Sequence, residues 1–86
     1  MARVLMYCTS ACPFCQSAER LLVEKGASIE KVRVDLEPER RREMTQKSGR
    51  QTVPQIWIGE RHIGGCDDLY ALDRKGGLDS LLKATP

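Results

Sequence analysis

The chain has little net charge, a single histidine, no long apolar run and no repeat, linker or low-complexity stretch. Each scarcity excludes something. Fourteen Lys and Arg against twelve Asp and Glu leave +2, too small a balance to argue for nucleic acid or an anionic membrane. The longest apolar run near the N-terminus, Val4 to Cys8, is far short of a signal segment or a membrane span. No membrane partner and a cytoplasmic location are therefore expected. Without a linker, residues 1–86 read as one domain. A chain of 86 residues buries only about 60% of the surface its unfolded form exposes, so its core must be small. Hydrophobic residues at 41% and charged ones at 30% fit a folded globular domain.

What the chain does have is four cysteines, Cys8, Cys12, Cys15 and Cys66. In a secreted mini-protein they would suggest two structural disulfides. With no export signal, a reducing compartment is expected, where clustered cysteines are more often catalytic or metal-binding.

Hydrophobic patterning places these thiols on elements. Residues 3–8 form an apolar run suited to a buried strand. Pro13 suits the first turn of a helix, and Phe14, Ala18, Leu21 and Leu22 at i, i+4, i+7 and i+8 predict one buried face. Val32, Val34 and Leu36 alternate with Arg33 and Asp35, predicting a half-buried strand. A charged helix is predicted over 38–48, a strand over 55–58, a turn at Gly59-Glu60 and a return strand over 61–63. Asp67 is expected to cap a helix carrying Leu69 and Leu72, and a last short helix carries Leu78, Leu81 and Leu82. The order β-α-β-α-β-β-α-α predicts an α/β fold with one four-stranded mixed sheet flanked by helices.

Cys12 and Cys15 fall where the first strand meets the first helix. Residues three apart in a helix have Cα atoms about 5 Å from each other, a spacing that a disulfide tolerates. Cys12 is expected near the N-cap and exposed, beside free backbone N–H groups, and Cys15 inside the first turn and more shielded. This asymmetry predicts a nucleophile, Cys12, with a resolving partner, Cys15. A helix terminus is worth roughly 0.3–1 kcal/mol to a charge and up to about 2 in favourable geometry. Further support for a thiolate needs N–H···S bonds or a nearby cation, and residues 4–19 contain no cation. The rival is metal. Cys8, Cys12 and Cys15 form C-x3-C-x2-C, which also resembles the iron–sulfur motif of radical SAM enzymes, but 86 residues cannot build the barrel those require. A structural zinc site would want a second ligand pair, and only Cys66 and His62 remain. No metal is expected in the resting protein. Cys8 reads as a core residue and His62 as an exposed bystander.

A C-x-x-C beside a βαβ pattern is a thioredoxin-like signature. Cys-Pro-Phe-Cys at 12–15, Thr-Val-Pro-Gln at 52–55 and Gly-Gly-Cys-Asp-Asp at 64–68 narrow it. Together they resemble the dithiol glutaredoxins, most of all the short bacterial glutaredoxin 3 type, over nearly the whole chain. The resemblance implies a thioredoxin-like fold and a glutathione-dependent thiol–disulfide oxidoreductase. Its substrates would be protein disulfides and glutathionylated proteins. It implies a cis proline at Pro54 and pairing of the Val53 backbone, next to Thr52, with the cysteine moiety of glutathione. Gly65 would let the backbone approach the ligand, Cys66 would lie near the pocket, and Asp67 would meet the γ-glutamyl ammonium. Arg41 would reach the glycine carboxylate, and Phe14 would form an apolar wall in place of the more frequent Tyr. Thr9 stands where the family commonly has Lys. A monomer is expected. Two alternatives stay open: an iron–sulfur carrier bridging two subunits through Cys12 and glutathione, and a glutaredoxin-like protein reduced by thioredoxin reductase.

Overall fold

The computed structural model describes residues 3–84. Its elements are β1 (Arg3–Cys8), α1 (Pro13–Glu24), β2 (Ser28–Arg33), α2 (Pro38–Ser48), β3 (Gln55–Ile58), β4 (Arg61–Gly64), α3 (Cys66–Arg74) and α4 (Gly77–Ala84). The sheet order is β2-β1-β3-β4. β1 runs parallel to β2 and antiparallel to β3, and β3 pairs antiparallel with β4. This is the predicted mixed sheet, with β1 and β3 in its centre. No helix among the described residues is long and apolar enough to cross a membrane.

Strand alternation sorts the interior into two layers. Val4, Met6 and Cys8 of β1 join Ile56 and Ile58 of β3 against Ala18, Leu21 and Leu22 of α1, Leu69 of α3, and Leu78 and Leu82 of α4. The intervening residues Tyr7 and Trp57 face the other way, with Val32, Val34 and Met44. Three helices thus cover one face and α2 alone covers the second.

α2 has a single buried residue, Met44, so aliphatic packing gives it a narrow hold. Its charged side chains add to that hold. Lys47 Nζ lies 4.8 Å from the Trp57 ring centroid, and the Arg40 guanidinium lies 6.0 Å from that of Tyr7. Each is a cation over an aromatic face. The Tyr7 hydroxyl donates to Glu43, which also pairs with Arg40. Burial, reinforced by that bond, pushes the Tyr7 phenol up to about 12. Pro38 opens the helix and Gly49, at φ +73°, closes it.

Three expectations are corrected. The second strand is Ser28–Arg33, starting four residues before the expected run Val32 to Leu36 and ending three before its close. A parallel partner can be no longer than its neighbour's pairing groups allow, and β1 ends at Cys8, opposite Arg33. The chain then turns, with the N–H groups of Leu36 and Glu37 both donating to the Arg33 carbonyl. Val34 stays buried, while Leu36 is 68% exposed. The buried face of α1 is Cys15, Ala18, Leu21 and Leu22, and Phe14 is 63% exposed. Its helical angle matches that face, but in the first turn no element covers it.

The third correction concerns α3. Gly65, not Asp67, is its N-cap. The capping carboxylate belongs to Asp68, which accepts the Gly65 N–H at 2.9 Å. An N3 acid reaching back in this way satisfies a free helix-end donor. Gly64, at φ +116°, leaves room for it: a Cβ there would lie 2.8 Å from Asp68 Cγ and closer still to Oδ2. Gly64→Ala is therefore expected to displace the cap and strain the backbone, costing about 2 kcal/mol. An unchanged denaturation midpoint would contradict that account.

Candidate functional site

The site forms where the C-terminal end of β1 meets the starts of α1 and α3. Cys12 is the N-cap of α1, in an extended conformation at φ −128° and ψ 98°. Its Sγ accepts the Cys15 backbone N–H at 3.2 Å. This is the N–H···S bond that the helix dipole alone could not supply. On its other side the Cys12 thiol donates to the Val53 carbonyl at 3.9 Å. All four cysteines are free thiols.

Cys12 is 8% exposed and Cys15 4%. The expected order of shielding holds, but Cys12 is buried rather than exposed. The segment 52–54 packs against its sulfur, which sequence spacing alone does not reveal. Burial pushes the Cys15 thiol well up, and the hydrogen bond with Cys12 adds to this. Cys15 is thus held as a neutral thiol while Cys12 receives the N–H bond. Cys8 is buried at 4%, and burial raises its thiol as well.

Beside Cys12 runs an open groove of about 220 Å³. Its lining comes from Thr52, Val53 and Pro54, from Gly65, Cys66 and Asp67, and from Phe14. The Val53–Pro54 peptide bond is cis. Cys66 is the first residue of α3, and burial raises its thiol. Asp67 is exposed at the same helix start. The groove thus gathers seven of the eight residues singled out for ligand contact. The eighth, Arg41, lies in an adjacent depression with Arg42, Thr45 and Gln51. Its Nη2 donates to the Gln51 carbonyl at 3.1 Å.

Sequence reasoning missed two groove residues. Arg50 lines it and pairs with Asp68 at 2.9 Å. The Gly65 N–H bond and that guanidinium hold the Asp68 carboxyl below its usual range. The signal for Arg50 was slight: a lone cation two residues before Thr52. His62 also departs from expectation. It is half-buried, its ring lies 4.5 Å from that of Trp57, and its Nε2 is 2.8 Å from Gln55 Oε1. Burial lowers its pKa. Among the described residues, no three His, Cys, Asp or Glu side chains are arranged to hold a metal ion.

Sulfur exchange is the chemistry this arrangement supports, since one thiol is bonded at a helix start and a second stands three residues on. By class the protein is a thiol–disulfide oxidoreductase. The glutaredoxin family profile matches residues 4–63. The chain is 54% identical over 83 residues to glutaredoxin 3 of Escherichia coli K12, covering 96% of this chain and 100% of that one. Its fold matches the solution structure of a glutaredoxin from Brucella melitensis with a TM-score of 0.84 and 52% identity, over 96% of this chain and 90% of that one. A buckwheat glutaredoxin–glutathione complex matches with a TM-score of 0.89 at 28% identity, over 96% and 78% of the two chains. The chain belongs to the glutaredoxin family.

Proposed function

We propose that this protein, acting as a single domain, uses glutathione to reduce protein disulfides and protein–glutathione mixed disulfides. The observation carrying this reading is the groove itself. It is lined by Val53, whose carbonyl meets the Cys12 sulfur, by the first residues of α3, and by Arg50 and Asp67. Glutathione is an extended peptide with two carboxylates and one ammonium. Its amide groups fit an exposed backbone segment, a carboxylate fits a helix N-terminus, and its ammonium fits Asp67. Arg50, in the groove, suits its other carboxylate, and Arg41 could serve it only by leaving its own depression and the Gln51 carbonyl.

In the monothiol cycle the Cys12 thiolate attacks the glutathione sulfur of a mixed disulfide. The protein thiolate leaves and takes up a proton. A second glutathione thiolate attacks that adduct, releasing oxidised glutathione and the Cys12 thiolate. With a protein disulfide, Cys12 forms a mixed disulfide with one substrate sulfur and expels the other. Cys15 then loses its proton and attacks Cys12 Sγ, releasing the substrate's second thiolate and leaving a Cys12–Cys15 disulfide. Two glutathiones reduce that disulfide through a glutathionylated Cys12.

The test is turnover of a glutathionylated peptide with glutathione and glutathione reductase, followed as NADPH consumption. Saturable turnover that disappears in Cys12→Ser is the expected result. A rate no faster than that of glutathione alone would overturn the reading.

A further inference from the structure

Gln55 is wholly buried, and its amide is spoken for at both ends. Its Nε2 donates to the Thr52 carbonyl at 3.0 Å and to Thr52 Oγ1 at 3.3 Å, while Oε1 faces His62 Nε2 at 2.8 Å. A carbonyl only accepts, so the atom facing Thr52 O must be the amide nitrogen. The amide oxygen then faces His62, and two acceptors at 2.8 Å would repel. His62 Nε2 therefore carries a hydrogen, and donation runs one way, from His62 through Gln55 to Thr52. The origin of this chain is held firmly. The His62 ring lies over Trp57, tilted by 33°, and Trp57 sits in the second core layer. The far end is the segment whose next carbonyl, that of Val53, meets Cys12 Sγ.

We propose that His62 is a positioning residue for the ligand groove, setting through Gln55 the orientation of the Thr52–Val53 backbone. The inference rests on the reading that this backbone binds glutathione, and assigns part of that binding to a residue outside the groove. Loss of the His62 donor frees the Gln55 amide to rotate and removes the constraint on Thr52. The glutathione moiety then binds more weakly, while the Cys12 sulfur keeps the shorter bond from the Cys15 N–H, which does not depend on His62, and with it its reactivity.

The test uses the full chain and two variants. His62→Phe keeps a ring against Trp57 without the donor, and His62→Gln returns an N–H near the Nε2 position. With a glutathionylated peptide, His62→Phe is expected to raise the apparent KM by about tenfold, the worth of one lost hydrogen bond. Its kcat should change by less than about twofold, and His62→Gln should recover most of the KM. The reaction of the reduced proteins with dithiobis(nitrobenzoate), which carries no glutathione, should be equal in all three. A wild-type KM in His62→Phe, or no recovery in His62→Gln, overturns the proposal. If the wild-type protein does not prefer the glutathionylated peptide to the same peptide carrying a cysteine mixed disulfide, the glutathione reading fails instead. The imidazole nitrogen NMR spectrum of the unaltered protein gives a check that needs no variant. Hydrogen on Nε2 at neutral pH supports the relay, and hydrogen on Nδ1 alone overturns it.

Discussion

Cys15→Ser is expected to reduce glutathionylated peptides at a rate within a few fold of the wild type, yet to lose more than about 100-fold in reduction of a protein disulfide. The reason is geometric. Cys15 is buried beside Cys12, and its backbone N–H already bonds the Cys12 sulfur. A thiol held in such reach is worth effective molarities of about 10⁵ M or more, which millimolar glutathione cannot match. In the proposed cycle deglutathionylation needs only Cys12, because glutathione supplies the second thiol. Parallel assays of a glutathionylated peptide and a disulfide-bonded protein check this. Equal loss of both activities would mean that Cys15 holds Cys12 in place rather than resolving its adducts.

The second large effect concerns stability. Met44→Ala removes the only buried side chain of α2, and a buried methionine cut to alanine costs about 2–5 kcal/mol. At this chain length each kcal/mol lowers Tm by about 4–8 °C. Thermal melting of the variant should therefore show a drop of more than about 8 °C, the lower product of those two ranges. A loss under about 1 kcal/mol would transfer the anchoring role to Lys47 and Arg40 over the aromatic rings.

The element order and the place of Cys12 and Cys15 at the start of α1 were both legible from local pattern. Pro13, Pro38, Gly49 and the Gly59-Glu60 turn mark boundaries through backbone chemistry that acts within a few residues. The β2 limits were not legible, because pairing with β1 ends the strand while the alternation of Val32, Val34 and Leu36 runs past it. Phe14 has the helical angle of a buried residue, yet it is exposed because, among the described residues, no helix or strand packs over the first turn of α1 at that point. Asp67 and Asp68 are both credible caps by composition. The choice fell to Asp68 because Gly64 has no side chain to obstruct it. His62 carried a usable signal. A two-residue turn at Gly59-Glu60 puts Trp57 opposite His62, which already predicts a stacked ring rather than a free one.

The two-layer interior also guards the alignment of the central strands. On β1 and β3 the even-numbered residues are aliphatic or sulfur-bearing, while Tyr7, Gln55 and Trp57 carry polar groups at odd positions. A one-residue slip of either strand would turn every side chain over. The Tyr7 hydroxyl or the Gln55 amide would then face Leu21, Leu22 and Leu69, whose aliphatic side chains offer no hydrogen bond. Each unpaired group would cost about 1–3 kcal/mol beyond the lost packing. The same hydrogen-bonding side chains that serve Glu43, Thr52 and His62 in the native sheet therefore act as proofreaders of its assembly.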